Sequence, residues 1–473
     1  MRRNRHHQIS RRRLWARDRR GAWPQDSPRT PALGPHWGWG LILLAWCLSW
    51  AALAPVVAWA GIIFTPNVTA GVGYDDNVRQ QSHPNGDTFF TVRPGASLQA
   101  GKPTNQLTVA GSAEFNQYSR LTTYNGFQSG DIMARWRYLP SQLWAIELFN
   151  GYSSSYDLAS LSETGSLAQV QQFSGRHDRN ITGGRVTHLL GPGGSQLSAG
   201  YSYAVVNNEN PQAENSAEQK ADVGLSWRFA PKYRFDSIVT GTYTDYERSP
   251  DIEQATLDLR LARIFTPRDE IWLGVVTGTS HTLSDQVSLS TTRDYDSYTA
   301  RAGFKKSFSP SFDAEGWVGA TYISGDTATN QAAGEASPTG QLSLTYRQKI
   351  WLLRLTALES LDENQSPGKN TGLTDRKQLG LLYDISLNQR WRFNVGADWV
   401  RDDYKQNAFL VGRTFQGYSE YWRLYSVLSY QITQHWSVRL DYRYLTALYE
   451  NDVDNIEQNR IVLLFDYSLP FRW

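Results

Sequence analysis

From Ile461 to the end of the chain every odd position is apolar or aromatic: Ile461, Leu463, Phe465, Tyr467, Leu469, Phe471 and Trp473. Asp466, Ser468 and Arg472 occupy even positions between them. A period of two gives an extended strand one greasy face and one polar face, whereas a helix would need apolar residues every three or four positions. The same pattern recurs at Leu257, Leu259 and Leu261 against Asp258 and Arg260. It recurs at Trp391, Phe393, Val395, Ala397 and Trp399 against Arg392, Asn394 and Asp398, and again from Trp436 to Tyr444 against Arg439, Asp441 and Arg443.

Nine tight junctions separate these strands, at 101–105, 139–142, 191–195, 230–233, 266–269, 309–311, 348–350, 388–390 and 433–435. Longer polar connections alternate with them, including 157–175, 207–217, 282–293, 324–337, 362–374, 402–415 and 449–457. Short turns on one side and long loops on the other are the asymmetry of an outer-membrane barrel. The expected fold is therefore all-β: a transmembrane antiparallel up-and-down β-barrel over residues 61–473 with about 20 strands, 18 to 22 being compatible. A soluble sandwich or propeller would alternate in the same way. Its strands are usually about 5–6 residues long, shorter than the runs here, and it has no reason to gather aromatics near strand ends.

Composition supports that choice. The chain has 18 Trp, 25 Tyr and 18 Phe, only 19% charged residues and a mean hydropathy of −0.50. The aromatic load excludes a disordered chain, and the hydropathy excludes a bundle of membrane helices. Residues 1–60 hold ten Arg with only Asp18 and Asp26, leaving 37 basic and 43 acidic residues in 61–473. No basic footprint for nucleic acid survives in that net −6. The single cysteine excludes a disulfide framework and a thiolate zinc site.

Residues 41–60, LILLAWCLSWAALAPVVAWA, form one long apolar run behind an Arg-rich stretch. Ala58-Trp59-Ala60 fits the small-x-small pattern of a signal-peptidase site, so residues 1–60 read as a cleaved secretory leader and Gly61 as the start of the mature chain. An uncleaved anchor helix is the alternative, since about 20 apolar residues can span a bilayer. Cys47 lies within the run, and the bulky Trp46 before it argues against a lipoprotein signal. Ser10-Arg11-Arg12-Arg13-Leu14 is similar to a twin-arginine signal but lies far from the apolar run.

The last strand, with Phe465, Tyr467, Leu469, Phe471 and Trp473 in phase, resembles the assembly signal read by the outer-membrane barrel assembly machinery. Val72-Gly73-Tyr74-Asp75-Asp76-Asn77-Val78, then Asp87 and Val92-Arg93-Pro94-Gly95, resemble the opening of outer-membrane porin families often found with exopolysaccharide loci. The resemblance implies a barrel and suggests transport or export. It also implies outer-membrane lipid, lipopolysaccharide, the assembly machinery and exopolysaccharide export components as partners.

Strand phase puts Arg93, Arg135, Arg137, Arg228, Arg234, Arg260, Arg301, Arg347, Arg354, Arg392, Arg423, Arg439 and Arg443 on the pore-lining face. The same phase carries Glu114, Asp131, Glu147, Asp222, Asp236, Asp258, Asp313, Glu315, Asp384, Asp398, Asp441 and Asp466. A wet bore tolerates such charges, whereas Arg at the lipid midplane costs about 2–4 kcal/mol. Because acids nearly match bases, interleaved networks that solvate and stiffen the wall are expected rather than a strongly anion-selective path. Asp75-Asp76-Asn77 and Asp402-Asp403 could hold Ca²⁺ but read better as solvated loop residues, so no metal or cofactor is expected. His83, His177, His188, His281 and His435 show no spacing to a Ser nucleophile or second acid that would mark catalysis. Strands begin within about ten residues of Gly61, where a receptor's plug domain would have to stand. Two roles remain: a channel for polysaccharide or other polar solutes, or a closed structural or surface-interaction barrel working through acidic loops such as Asp245–Glu253 and Glu450–Glu457.

Overall fold

The computed structural model describes residues 61–80, 83–156, 175–191, 193–209, 215–247, 251–283, 294–325, 334, 336–366, 369–410, 413–449 and 455–472. The leader, Trp473, most of 157–175 and 324–337, and the tip 450–454 lie outside them.

Twenty strands follow one another. They are β1 Ile62–Asp75, β2 Asp87–Lys102, β3 Asn105–Tyr118, β4 Gly126–Ser141, β5 Trp144–Ser155, β6 His177–Leu189 and β7 Gln196–Asn208. Next come β8 Ser216–Ala230, β9 Tyr233–Tyr246, β10 Asp251–Thr266, β11 Asp269–Leu283, β12 Tyr295–Ser309 and β13 Phe312–Gly325. The last are β14 Ala336–Arg347, β15 Trp351–Ser366, β16 Lys369–Ser386, β17 Trp391–Leu410, β18 Arg413–Gln431, β19 Trp436–Tyr449 and β20 Ile456–Ser468, which resumes at Phe471–Arg472. Neighbours in sequence pair antiparallel, and β20 returns to β1 from Asn67↔Ser468 to Asp75↔Arg460. Closure leaves no edge with unpaired backbone groups, the condition for a sheet in hydrocarbon.

Proline marks that closing seam. Pro470 has no N–H to give, and β20 stops before it and resumes with Phe471 opposite Phe64. The Leu469 N–H donates to the Pro66 carbonyl at 3.2 Å, so it is Pro66 that turns its missing donor toward the seam.

Because directly paired residues share a face, the registers fix two sides for the whole sheet. One is apolar. Near the short turns it carries a belt of touching rings, running Phe308, Phe312, Tyr346, Trp351 and Tyr383 with centroids 5.1–6.2 Å apart. Trp144 on His188 (4.2 Å), Trp391 on Tyr430 (4.6 Å) and Trp436 on Tyr467 (4.6 Å) continue it. Toward the long loops Tyr74, Tyr298, Tyr322 and the Trp399–Trp422 pair, at 6.1 Å, form a second belt.

Two expectations about connections are corrected. Segments 362–374 and 402–415 are not loops: β15–β16 and β17–β18 continue through them as hairpins. Their sequence is mainly polar without alternation, which is why it reads as loop. The pattern also fails on β5 and β6. Above Leu148 and Gly184 the apolar face carries Asn150, Thr182, Asn180, Tyr152 and Asp178.

Candidate functional site

Every Arg and acid assigned to the pore-lining phase falls on the face opposite the aromatic belts. Arg93 pairs with Glu114, Arg260 with Glu270, Arg301 with Asp258, Arg392 with Asp384 and Arg423 with Asp398. Arg135 reaches Glu147 at 3.3 Å, and Arg439 reaches Asp441 at 3.1 Å and Asp466 at 3.9 Å. Arg234 bridges Asp236 at 2.9 Å and Glu270 at 3.2 Å, and Arg443 donates to Gln458 at 3.2 Å. Arg228 donates to the Pro231 carbonyl at 2.9 Å, beside a short turn. Arg137, Arg347 and Arg354 are exposed and have no ion pair among the described residues.

Several of these contacts skip a strand. Arg185 on β6 meets Asp222 on β8 at 2.8 Å over Gly200 of β7, and Arg460 on β20 meets Glu114 on β3 at 2.9 Å past β1 and β2. Strands lie about 4.8 Å apart. Side chains converge on a concave wall and diverge on a convex one, so contacts over two or three strand spacings identify the charged face as the inside of the cylinder.

Aromatics join the charges there. Trp272 lies against Gly303, its cross-strand partner, where an added Cβ would stand 2.3 Å from the indole. Gly396 receives the Tyr425 ring in the same manner, at 2.1 Å. Such rings lie flat on the wall instead of filling the bore. Arg260 covers Trp272 at 4.4 Å, and Arg301 lies 5.4 Å from Trp272 and 5.6 Å from Trp317. Arg179, Arg185, Arg376 and Arg460 are inner-face bases that strand phase did not single out. The glycines opposite Trp272 and Tyr425 were the available signal for those rings.

The N-terminal motif residues act as a clasp. Asp75 accepts from Gln458 Nε2 (2.8 Å) and from the Asn77 N–H (2.9 Å), and Asp76 accepts from Asn459 N (2.6 Å) and Nδ2 (2.8 Å). Asn77, fully buried, donates to the Glu457 carbonyl at 2.7 Å. These residues hold the top of the β1–β20 seam, in place of the solvated role expected of them. Asp402 and Asp403 face opposite sides: Asp402 takes Arg376 at 2.7 Å, and Asp403 takes Arg401 at 2.9 Å and Lys377 at 3.4 Å. One ion cannot use both. Among the described residues no group of acids, His or Cys has the geometry to hold a metal.

Asp87, one residue outside the Tyr74–Thr88 pair of the upper belt, anchors the loop after β3. Burial pushes its carboxyl up, but N–H groups of Leu121 (2.8 Å), Arg120 (2.7 Å) and Thr88 (2.8 Å), with the Arg120 side chain, outweigh this and hold it below the usual carboxylate range. His188 lies against Trp144 at 4.2 Å, and His435 Nδ1 lies 3.0 Å from the Ser468 carbonyl.

No family model and no curated protein matches this chain. Among solved structures it is similar to the siderophore receptor PiuA from Acinetobacter baumannii, at 10% identity over 87% of this chain and 82% of that one, with a TM-score of 0.49. It is similar to the siderophore receptor PirA from Pseudomonas aeruginosa (10% identity, 86% and 80% covered, TM-score 0.46). OpdQ from Pseudomonas aeruginosa is a third (12% identity, 87% and 98% covered, TM-score 0.38). Neither identity nor score is high enough to carry a function across.

Proposed function

We propose that this protein is a bacterial outer-membrane channel that passes polar solutes through a charged bore, and that it acts by passage and not by catalysis. One observation carries this reading: the ionised side chains cluster on the concave face of a closed cylinder, and the convex face, outside β5 and β6, is mainly apolar between two aromatic belts. Lipid explains the second face and water the first. Twenty strands give a cylinder between the open porins of 16–18 strands and the plugged transporters of 22. Because most inner-wall arginines are paired with acids, ion preference should be weak. Passage of polysaccharide or its fragments is the finer form of this proposal and rests on the two N-terminal motifs. Lipopolysaccharide surrounds the outer leaflet in this reading, and the assembly machinery reads the phase of Phe465, Tyr467, Leu469, Phe471 and Trp473.

Conductance across planar bilayers tests it. Refolded protein should open in uniform steps, and Arg439→Ala with Arg443→Ala should shift the reversal potential toward cations. A silent bilayer, with protein in the outer-membrane fraction and shifting mobility on heating, would favour the closed, surface-acting barrel.

A further inference from the structure

The apolar face is broken by a polar cluster on β5 and β6. On β13 the rows from Phe312 to Tyr322 read Phe, Ala, Gly, Val, Ala, Tyr. With a rise of about 3.3 Å per residue and a tilt of about 40°, successive rows climb about 5 Å, so this wall is apolar over about 25 Å. On β5 and β6 the rows begin equally with Trp144↔His188, then Ile146↔Val186 and Leu148↔Gly184. The fourth row is Asn150↔Thr182 and the fifth Tyr152↔Asn180. Polar side chains therefore start about 15 Å above the lower belt, well inside the band that hydrocarbon covers elsewhere.

Their hydrogen bonding is half complete. Asn150 Nδ2 donates to Thr182 Oγ1 at 2.6 Å and to Asn180 Oδ1 at 3.4 Å, and Thr182 Oγ1 also donates to Asn180 Oδ1. Asn150 Oδ1 and the Asn180 Nδ2 donors bond to nothing among the described residues. Higher up, Tyr152 and Arg176 close on Asp178 at 3.1 and 3.0 Å, so that end is satisfied. An acyl chain offers neither donor nor acceptor, and an unmet amide in hydrocarbon is costly.

We infer that this wall, centred on Asn150, Asn180 and Thr182, is a contact surface for a second copy of the same chain. The inference rests on the apolar face meeting lipid and is independent of what passes through the bore. A twofold axis brings one patch onto itself, so residue i meets j and j meets i. The spare acceptor of Asn150 then faces the spare donors of Asn180 in the partner, twice over. Ile146, Leu148 and the flat Gly184 supply close van der Waals contact below, the main attraction between proteins in lipid.

Cysteine cross-linking in outer membranes tests it, in a Cys47→Ser background that removes the chain's one native thiol. Ile146→Cys, which leaves the polar trio intact, should be joined by a short bismaleimide into a species of twice the chain mass. Val318→Cys, at 71% exposure the most open large apolar residue, should not. Adding Asn150→Leu and Asn180→Leu should cut the Ile146→Cys product at least tenfold. Equal cross-linking at both sites, none at Ile146, or a product of another mass would overturn the second copy as occupant. Heat-shifted mobility of each variant reports membrane insertion separately, so a failed barrel is not mistaken for a missing interface.

Discussion

Glu114 on β3 is bonded by Arg460 of β20 at 2.9 Å and by Arg93 of β2, so one carboxylate ties both ends of the chain together across the closing seam. Its side chain is 7% exposed. Replacing it by Gln removes the carboxylate that Arg93, 43% exposed, and Arg460, 19% exposed, both bond. Breaking a fully buried pair costs about 3–5 kcal/mol, and water at Arg93 reduces that cost here. Glu114→Gln should therefore lower the temperature at which the folded, fast-migrating form is lost in detergent, by more than the exposed pair substitution Glu147→Gln does.

A pH effect should centre on Asp87. Its carboxyl titrates below the ordinary value of 3.8, so the folded state binds fewer protons there than the unfolded state. The stabilisation is complete above that ordinary value and is lost as pH falls through the depressed one. Amide exchange at Arg120 and Leu121, corrected for intrinsic rates, should be protected at pH 5 and rise on the order of tenfold once pH has fallen through the depressed value. Asp87→Asn should show weakened protection already at pH 5.

Gly396 has no room for a methyl group while Tyr425 lies on it. Gly396→Ala should destabilise by about 1–3 kcal/mol and push the ring into the bore, lowering single-channel conductance. Tyr425→Ala should restore stability to Gly396→Ala in part, and a double-mutant cycle read by thermal melting measures that coupling.

Trp351 touches Tyr346 at 5.1 Å and Tyr383 at 5.9 Å in the lower belt. In variants keeping Trp351 as the sole lipid-facing indole, lipids brominated near the headgroup should quench it more than lipids brominated near the chain terminus. Deeper quenching would mean that the belt is not at an interface.

Strands with two unlike faces were legible in the chain itself: 391–399, 436–444 and 461–471 alternate because one side of the sheet is apolar and the other charged. Legibility failed where that contrast is missing. Ile271-Trp272-Leu273 is apolar on both faces, since Trp272 lies inside against Gly303, so its phase pointed nowhere. The upper halves of β15 to β18 are mainly polar in sequence without alternation and read as loops. On β6 the outward positions His188, Thr182, Asn180 and Asp178 are polar, leaving Val186 as the one large aliphatic side chain there. Arg460 and Glu114 are far apart in sequence, and only closure of the sheet brings them together.

The proline of β1 at the seam has a consequence for biogenesis. Until β1 and β20 meet, the nascent sheet has two raw borders, each a template on which a stray chain could add. Pro66 removes a donor from the β1 border, so a foreign strand finds a gap there, while the chain's own last strand, matched in register, continues past it to set Phe471 opposite Phe64.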